Sequence, residues 1–125
     1  MRKELRDYIV NKYPKLFKQT KTLAVGDGWY WLIENLCAYI QMYVDGNKVP
    51  QVEIACVKQK FGGLRCYIEN GGTELQAITW FVCSLSLGIC EDCGSVKDIQ
   101  QTKSMYVETL CKKCRIKLKE QESSS

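Results

Sequence analysis

Eight cysteines carry the most evident chemistry of this chain, and four of them have the spacing of a metal site. Cys90 and Cys93 form one Cys-x-x-Cys pair, and Cys111 and Cys114 form a second pair further along the chain. Two such pairs supply four thiolates, which is the ligand set of a structural zinc ion in tetrahedral coordination. The spacing therefore predicts one structural Zn²⁺ bound by these four residues. Because four protein ligands leave no position for water, this ion would not act as a Lewis acid.

The residues around the two pairs predict the local structure that holds the ligands. Gly94 directly follows the first pair, where the backbone must turn away from a metal-binding loop. The second pair lies between a predicted short strand that ends at Leu110 and a helix from about Cys111 to Gln121. A turn, a short hairpin and a helix that carries the last ligands are typical of a treble-clef zinc finger.

Apolar periodicity in the rest of the chain predicts the scaffold that carries this finger. Helical spacing predicts a first helix broken near Pro14, a second helix capped by Asp27 and a third helix capped by Thr73. Alternation over 50–70 predicts a β-hairpin. The order of the elements indicates an α+β fold, with helices packed on a β-hairpin beside a C-terminal treble-clef-like zinc finger. We expect an α+β core domain at 1–87, a zinc-finger module packed on it at 88–121 and a disordered tail at 122–125.

The register of the predicted hairpin follows from its apolar residues, which alternate with polar residues on both strands. The apolar residues of both strands share one face if Cys56 pairs with Ile68. That pairing requires a three-residue loop at 61–63, in which Gly63 supplies the left-handed residue. We therefore expect a positive φ at Gly63.

The remaining cysteines are Cys37, Cys56, Cys66 and Cys83, which fall among apolar neighbours. We interpret them as core residues, because a free cysteine behaves as a small buried apolar side chain. Cysteines used for metal rather than for disulfides favour a reducing compartment. The N-terminus is charged and no apolar run has membrane-spanning length, so we expect a protein of the bacterial cytoplasm with no signal peptide and no membrane partner.

The absence of histidine excludes several enzyme classes. Neither a Ser-His-Asp or Cys-His nucleophile nor a histidine-containing metalloprotease motif can form. The sequence also has no P-loop and no Rossmann glycine pattern. The carboxylates of Asp27, Glu34, Glu53 and Glu69 are not paired in the sequence, and we interpret them as surface charges. We therefore expect a protein that is not an enzyme and has no catalytic residues.

Basic and aromatic residues in three segments are candidates for contact with a partner. Residues 1–21 hold seven basic side chains against two acidic ones. The segment 57–65 combines basic residues with an aromatic one, as contacts with phosphates and single-stranded bases do. The segment 26–31 places two tryptophans on different faces of a helix, so that one is an exposed anchor. The candidate residues are Lys12, Lys15, Lys18, Trp29, Trp31, Lys58, Lys60, Phe61 and Arg65.

Each of these patterns also has a purely structural interpretation. Lysines keep an exposed helix soluble, charges on a hairpin prevent pairing at its edges, and one tryptophan packs under the N-terminal helix. The sequence leaves both interpretations open.

Three ordered motifs resemble a family of small bacteriophage and prophage proteins. They are Lys12-Tyr-Pro-Lys-Leu-Phe17, then Gly26-Asp-Gly-Trp-Tyr30 with Leu36-Cys37 and Ile40-Gln41, and last Val57-Lys-Gln-Lys-Phe-Gly-Gly-Leu-Arg65. Those relatives also end in a Cys-x-x-Cys pair and a Leu-Cys pair, whose last ligand is often histidine and here is Cys114. The resemblance spans about residues 12–114. It implies a phage-type accessory protein that acts in a bacterial cytoplasm, and it implies no reaction.

These observations lead to one leading hypothesis and two alternatives. The leading hypothesis is a non-enzymatic, zinc-stabilised phage-type protein that binds and modulates or inhibits a host macromolecule, a host protein foremost, as an inhibitor of a host defence system would. The first alternative is a nucleic-acid-binding zinc-finger module, which would use the N-terminal helix, the hairpin and the helix at 112–119. The second alternative is binding of an anionic nucleotide signal.

Overall fold

The computed structural model describes residues 1–123, and its four α-helices and two antiparallel hairpins confirm the α+β class. The elements are α1 (Lys3–Lys12), a 3₁₀ turn (Asp27–Trp29), α2 (Tyr30–Asn47), β1 (Glu53–Lys60), β2 (Gly63–Glu69), α3 (Gly72–Leu85), a second 3₁₀ turn (Ser86–Gly88), β3 (Gln100–Gln101), β4 (Thr109–Leu110) and α4 (Lys112–Ser123). β1 pairs with β2, and β3 pairs with β4.

The main hydrophobic core lies between α2 and the β1–β2 hairpin. One face of α2 is apolar because Leu32, Leu36 and Ile40 recur once per helical turn, and these side chains are buried. Ile54 on β1 and Leu64 on β2 are fully buried in the same cluster. Helix α3 lies against β2 and α2. One face of the hairpin is therefore in the core, and the other face meets solvent.

The outer edge of β1 is covered by the segment between α1 and α2. The backbone N–H of Ile54 donates to the carbonyl oxygen of Leu16 at 2.8 Å, and the N–H of Ala24 donates to the carbonyl oxygen of Val57 at 3.1 Å. These bonds give β1 backbone partners on both sides. The segment therefore lies along the outer edge of the sheet, although it is not a regular β-strand.

The turn of the β1–β2 hairpin differs from the predicted one. Its loop has two residues, Phe61 and Gly62, with φ of 53° and 82°, and Lys60 therefore pairs with Gly63. Two-residue hairpin loops of this kind need left-handed backbone at both positions. Gly63 is instead the first residue of β2 and has no positive φ, so the three-residue loop and its left-handed Gly63 were wrong predictions.

A β-bulge at Ala55 explains why the predicted register was wrong. Ile54 pairs with Ile68, but Cys56 pairs with Tyr67, and the register shifts between them. The bulge turns Val57 into the core, where it is 2% exposed, and leaves Cys56 only half-buried. The prediction assumed unbroken alternation along β1, and a bulge interrupts alternation by one residue.

Three predicted helix ends also differ. Asp27 does not cap α2; its carboxylate accepts a hydrogen bond from the backbone N–H of Arg2 at 2.7 Å and pairs with the Arg2 guanidinium at 2.7 Å. Thr73 lies inside α3, whose N-cap residue is Gly71. Helix α4 continues to Ser123, so part of the predicted tail is helical, and the rest of that tail lies outside the described residues.

Among residues 1–123, no helix combines the length and the apolar composition that a membrane span requires.

Candidate metal centre

The four cysteines selected by their spacing come together in the structure. The Sγ atoms of Cys90, Cys93, Cys111 and Cys114 all lie within 4.8 Å of one another. The Sγ atoms of Cys93 and Cys111 are 3.7 Å apart. A tetrahedron with metal–sulfur distances of about 2.3 Å has sulfur–sulfur edges of about 3.8 Å. The cluster therefore has the size and the donor set of a four-thiolate metal site.

A tight turn positions the first two ligands. The backbone N–H of Gly94 donates to the carbonyl oxygen of Cys90 at 2.9 Å, and Gly94 has a φ of 81°. The N–H of Cys90 donates to the carbonyl oxygen of Ser95 at 2.8 Å, which closes the turn from the other side. We call residues 90–95 the knuckle. Its left-handed glycine lets the chain reverse directly after Cys93.

The second pair of ligands is fixed by the start of α4. Cys111 directly follows β4, and Cys114 lies in the first turn of α4. Arg115 holds this junction, because its Nη1 donates to the carbonyl oxygens of Leu110 and Asp98 at 2.7 Å each. A knuckle, a short hairpin and a helix follow one another as the treble-clef prediction requires, and that assignment itself stays a prediction.

The electrostatics of the cluster are compatible with a bound cation. The pKa of Cys111 is lowered to about 7, because the backbone N–H of Cys114 donates a hydrogen bond to its sulfur. Burial raises the pKa of Cys114. Four thiolates within 4.8 Å would repel one another strongly, since like charges disfavour the ionised form. A bound divalent cation would offset that repulsion, so four thiolates at these positions fit a metal ion.

A glutamate between the first two ligands ties the knuckle to the core. Glu91 is 7% exposed, and its Oε2 accepts a hydrogen bond from the N–H of Gly26 at 2.9 Å. Its carbonyl oxygen accepts from the N–H of Gly28 at 2.7 Å, and its own N–H donates to the carbonyl oxygen of Thr109 at 2.9 Å. Burial raises the pKa of the Glu91 carboxyl. Glu91 thus connects the second hairpin to the start of α2.

The two glycines before α2 permit this close approach. A Cβ atom at residue 28 would lie 2.0 Å from the carbonyl oxygen of Cys90 and 2.6 Å from the N of Gly94. A Cβ atom at residue 26 would lie 2.4 Å from the carbonyl oxygen of Glu91. Neither position has room for a side chain. The sequence analysis missed this role, although two glycines so close together before a helix were a visible signal.

Trp29 belongs to the same contact and not to a partner surface. It is fully buried, and its Nε1 donates to the carbonyl oxygen of Ile89 at 2.9 Å. Burial removes Trp29 from the candidates for partner contact. Trp31 points outward and is 67% exposed, so only one of the two tryptophans is in the core.

The turn of the main hairpin also packs against the metal-binding part. Thr109 Oγ1 donates to the carbonyl oxygen of Gly62 at 2.6 Å, and Gln59 Nε2 donates to the carbonyl oxygen of Val107 at 2.6 Å. Phe61 remains exposed beside this contact. The hairpin turn is therefore a docked element and not a free protrusion.

The predicted basic residues fall into two groups. Lys12 is engaged with Glu34, since its Nζ lies 2.8 Å from Glu34 Oε1, whereas Lys15 and Lys18 are exposed in the segment after α1. The other group comprises Lys58, Lys60 and Arg65, whose strands place them together on the solvent face of the main hairpin; Lys58 pairs directly with Arg65.

The other four cysteines lie outside the metal cluster. Cys37, Cys66 and Cys83 are buried as predicted, whereas Cys56 is half-buried. Burial raises the pKa of Cys37 and Cys83, and it raises the pKa of Cys66 to about 12. Thiolates are the reactive form of cysteine, so burial lowers the reactivity of these three thiols in the folded protein.

Thiol labelling tests both sets of cysteines. In the native metal-bound protein at pH 8, we expect Cys37 and Cys66 to resist a thiol reagent, because their raised pKa values and burial keep them protonated and inaccessible. A chelator should expose four additional reactive thiols, identified by mass spectrometry as the four ligands. Rapid labelling of Cys66 before unfolding would contradict the buried assignment.

No family model, curated protein or solved structure matches this chain.

Proposed function

We propose that this chain is a zinc-stabilised, non-enzymatic protein of bacteriophage type that binds an anionic host macromolecule in the bacterial cytoplasm. The phage-type role, with inhibition of a host defence system as its leading form, is supported by the resemblance of the motifs at 12–17, 26–30 and 57–65. The choice of zinc is supported by the all-cysteine donor set, because soft thiolates in a tetrahedral arrangement favour this ion.

A structural role for the metal is supported by its surroundings. All four positions of a tetrahedral ion are taken by Cys90, Cys93, Cys111 and Cys114, which leaves no position for a substrate. The knuckle also carries Glu91, whose hydrogen bonds hold the start of α2. A metal in this place stabilises the contact between the two parts of the chain.

The observation that carries the binding proposal is a pair of opposed cations on the main hairpin. Lys58 and Arg65 lie directly opposite each other on β1 and β2, and Lys60 lies two residues further along β1. Within residues 1–123, none of the three makes an ion pair with an acidic side chain. Like charges opposite each other destabilise a strand pair. We call these three residues the basic face.

The opposite end of the same hairpin carries a like-charge pair whose repulsion is relieved within the chain. Glu53 and Glu69 are also paired across the strands. Gln19 Nε2 donates to both carboxylates, at 3.3 Å to Glu53 and 2.6 Å to Glu69. Among residues 1–123, no carboxylate forms an ion pair with a cation of the basic face. An anion from outside the chain would supply that negative charge.

Charge reversal tests the basic face. The triple variant Lys58→Glu, Lys60→Glu, Arg65→Glu should lose a partner that the unchanged protein retains from bacterial lysate, and a parallel capture after nuclease treatment shows whether nucleic acid carries that partner. Its zinc content and melting temperature should stay nearly unchanged, because exposed charges contribute little to folding. The matched control Lys48→Glu, Lys97→Glu, Lys103→Glu makes the same charge change at exposed positions outside the three candidate segments and should keep the partner. Equal retention by both triple variants would contradict the proposal.

A further inference from the structure

An open cleft adjoins the basic face between β2 and α3. It has a volume of about 430 Å³, and its walls include Arg65, Tyr67, Gln76, Trp80, Ser84 and Leu87. This volume lies at the small end of the range of ligand pockets, which is roughly 300–1,000 Å³. The cleft is therefore large enough for one small planar group and too small for a folded segment of a protein.

Two exposed aromatic side chains from different elements line this cleft. Trp80, on α3, is 71% exposed, and Tyr67, on β2, is 45% exposed. Neither is in the hydrophobic core, so burial within the chain does not account for them. Every nucleobase has a flat π-face that stacks on such rings, independently of its sequence. The two rings thus suit a base that enters the cleft.

Arg65 connects the cleft to the basic face. Its side chain lines the cleft, and its strand position is directly opposite Lys58. The Lys58 Nζ lies 5.7 Å from the centre of the Tyr67 ring, so a cation stands next to one of the aromatic walls. A ligand with a planar ring in the cleft would therefore hold the atoms attached to that ring near the cations of the basic face.

The backbone edge of β2 argues against an extended peptide as the occupant. The N–H of Leu64 already donates to Ser86 Oγ at 2.9 Å, and the carbonyl oxygen of Ile68 accepts from Gln76 Nε2 at 3.3 Å. A peptide that adds a strand needs such groups free. The cleft consequently offers side-chain surfaces rather than a strand edge.

We infer that the cleft and the basic face together form a binding site for single-stranded nucleic acid, with one base stacked between Trp80 and Tyr67 and the adjoining phosphates on Arg65, Lys58 and Lys60. The inference rests on the proposed function, because it uses the same basic face and names the class of anion that the face binds. A base that is paired within a duplex cannot enter the cleft, so the site selects single strands.

The test uses the metal-bound full chain and a fluorescein-labelled 12-nucleotide oligothymidylate, followed by anisotropy. We expect Trp80→Ala to weaken binding by about 5- to 150-fold, the fold-change expected when one stacked base is lost. Trp31→Ala removes a tryptophan of nearly equal exposure away from the cleft and should change the affinity less than twofold. Trp80→Phe keeps an aromatic face and should restore most of the affinity.

The salt dependence gives a second readout. Contacts to phosphates of single strands lower the logarithm of affinity by about 0.7 per contact for each unit of log salt. Three cations therefore predict a slope of about −2 for the unchanged protein and a shallower slope for Arg65→Glu. Zinc content and melting temperature of each variant show that the fold is intact, and Tyr67→Ala provides an independent loss of stacking from the other wall.

Several outcomes would overturn the inference. They are failure of the oligothymidylate to bind, equal binding by Trp80→Ala, and equally tight binding of a duplex or of poly-glutamate of matched charge. If Trp80→Ala still retains the lysate partner while the triple charge reversal loses it, the cleft has no role and the proposed function stands. If the triple charge reversal retains that partner as well, both proposals fail.

Discussion

Replacement of Cys93 by serine is expected to release the metal and to unfold at least residues 88–121. Structural zinc contributes about 10–16 kcal/mol to the folding of zinc-finger peptides, whereas whole domains are stable by about 5–15 kcal/mol. Residues 90, 110 and 111 form only a small apolar cluster, which cannot replace the metal. Metal analysis should give one zinc per chain for the unchanged protein and less than a tenth of that for the variant, with a loss of ordered signals by circular dichroism.

Cys56→Ser is the matched control for this experiment. Cys56 is half-buried and lies outside the metal cluster, so its replacement should leave the zinc content unchanged. The idea would be overturned by native protein without zinc, by a disulfide between the two pairs, or by a Cys93→Ser variant that still binds one zinc per chain.

Loss of the metal should also destabilise the backbone at the start of α2. The N–H groups of Gly26 and Gly28 both donate to Glu91, and the indole N–H of Trp29 donates to Ile89. These bonds depend on a formed knuckle. Hydrogen exchange should therefore accelerate at Gly26 and Gly28 in the metal-free protein, while amides in the middle of α2 keep much of their protection.

Gly28→Ala is expected to destabilise the protein by at least about 3 kcal/mol, in the upper part of the range for overpacking. The added Cβ would lie 2.0 Å from the Cys90 carbonyl oxygen and 2.6 Å from the Glu91 carbonyl oxygen. Both are backbone atoms of the knuckle, and the hydrogen bonds of its turn hold that backbone in place. The collision cannot be relieved by rotation of a side chain, so the knuckle and α2 must separate. Chemical denaturation with saturating zinc measures the difference.

Gly46→Ala makes the same chemical change inside α2 with open space around it. A Cβ at residue 46 meets no atom within 4 Å. Alanine favours helix over glycine by up to about 1 kcal/mol, so this variant should be unchanged or slightly more stable. A Gly28→Ala variant as stable as Gly46→Ala would show that the knuckle and α2 are not held in contact in solution.

The ligand cluster was predictable because its information is local. Each Cys-x-x-Cys pair reaches one point from a single turn, so the spacing alone selects the four residues that the structure brings within 4.8 Å. The contact that locks this cluster to the core was not predictable in the same way. Gly26 and Glu91 are 65 residues apart, and their bond joins a backbone N–H to a carboxylate that nothing in the local sequence distinguishes from a surface charge. The two glycines and Glu91 record that contact in the sequence only as separate residues.

Which of the two tryptophans is buried could not be predicted from the sequence, for the same reason. Helical geometry separates Trp29 and Trp31 onto different faces, which predicts that only one can be fully buried in a core. It does not say which face the core occupies, because that depends on where Ile89 and the knuckle arrive from a distant part of the chain. The role of Trp80 was not predicted for a related reason, since α3 and β2 bring Trp80 and Tyr67 to the same cleft only after folding.

The bulge at Ala55 has a consequence for how this strand tolerates changes in length. Val52, Ile54, Lys58 and Lys60 have the same parity, so an unbroken strand would send both lysines toward the core with the two aliphatic residues. Ala55 is an extra residue on β1, so the side chains that follow it switch faces and both lysines point to solvent. Ala55 therefore behaves like a one-residue insertion confined to a single kink. Deleting it should yield a regular hairpin with the same residues on each face, whereas a deletion between Val57 and Lys60 would exchange the two faces beyond that point.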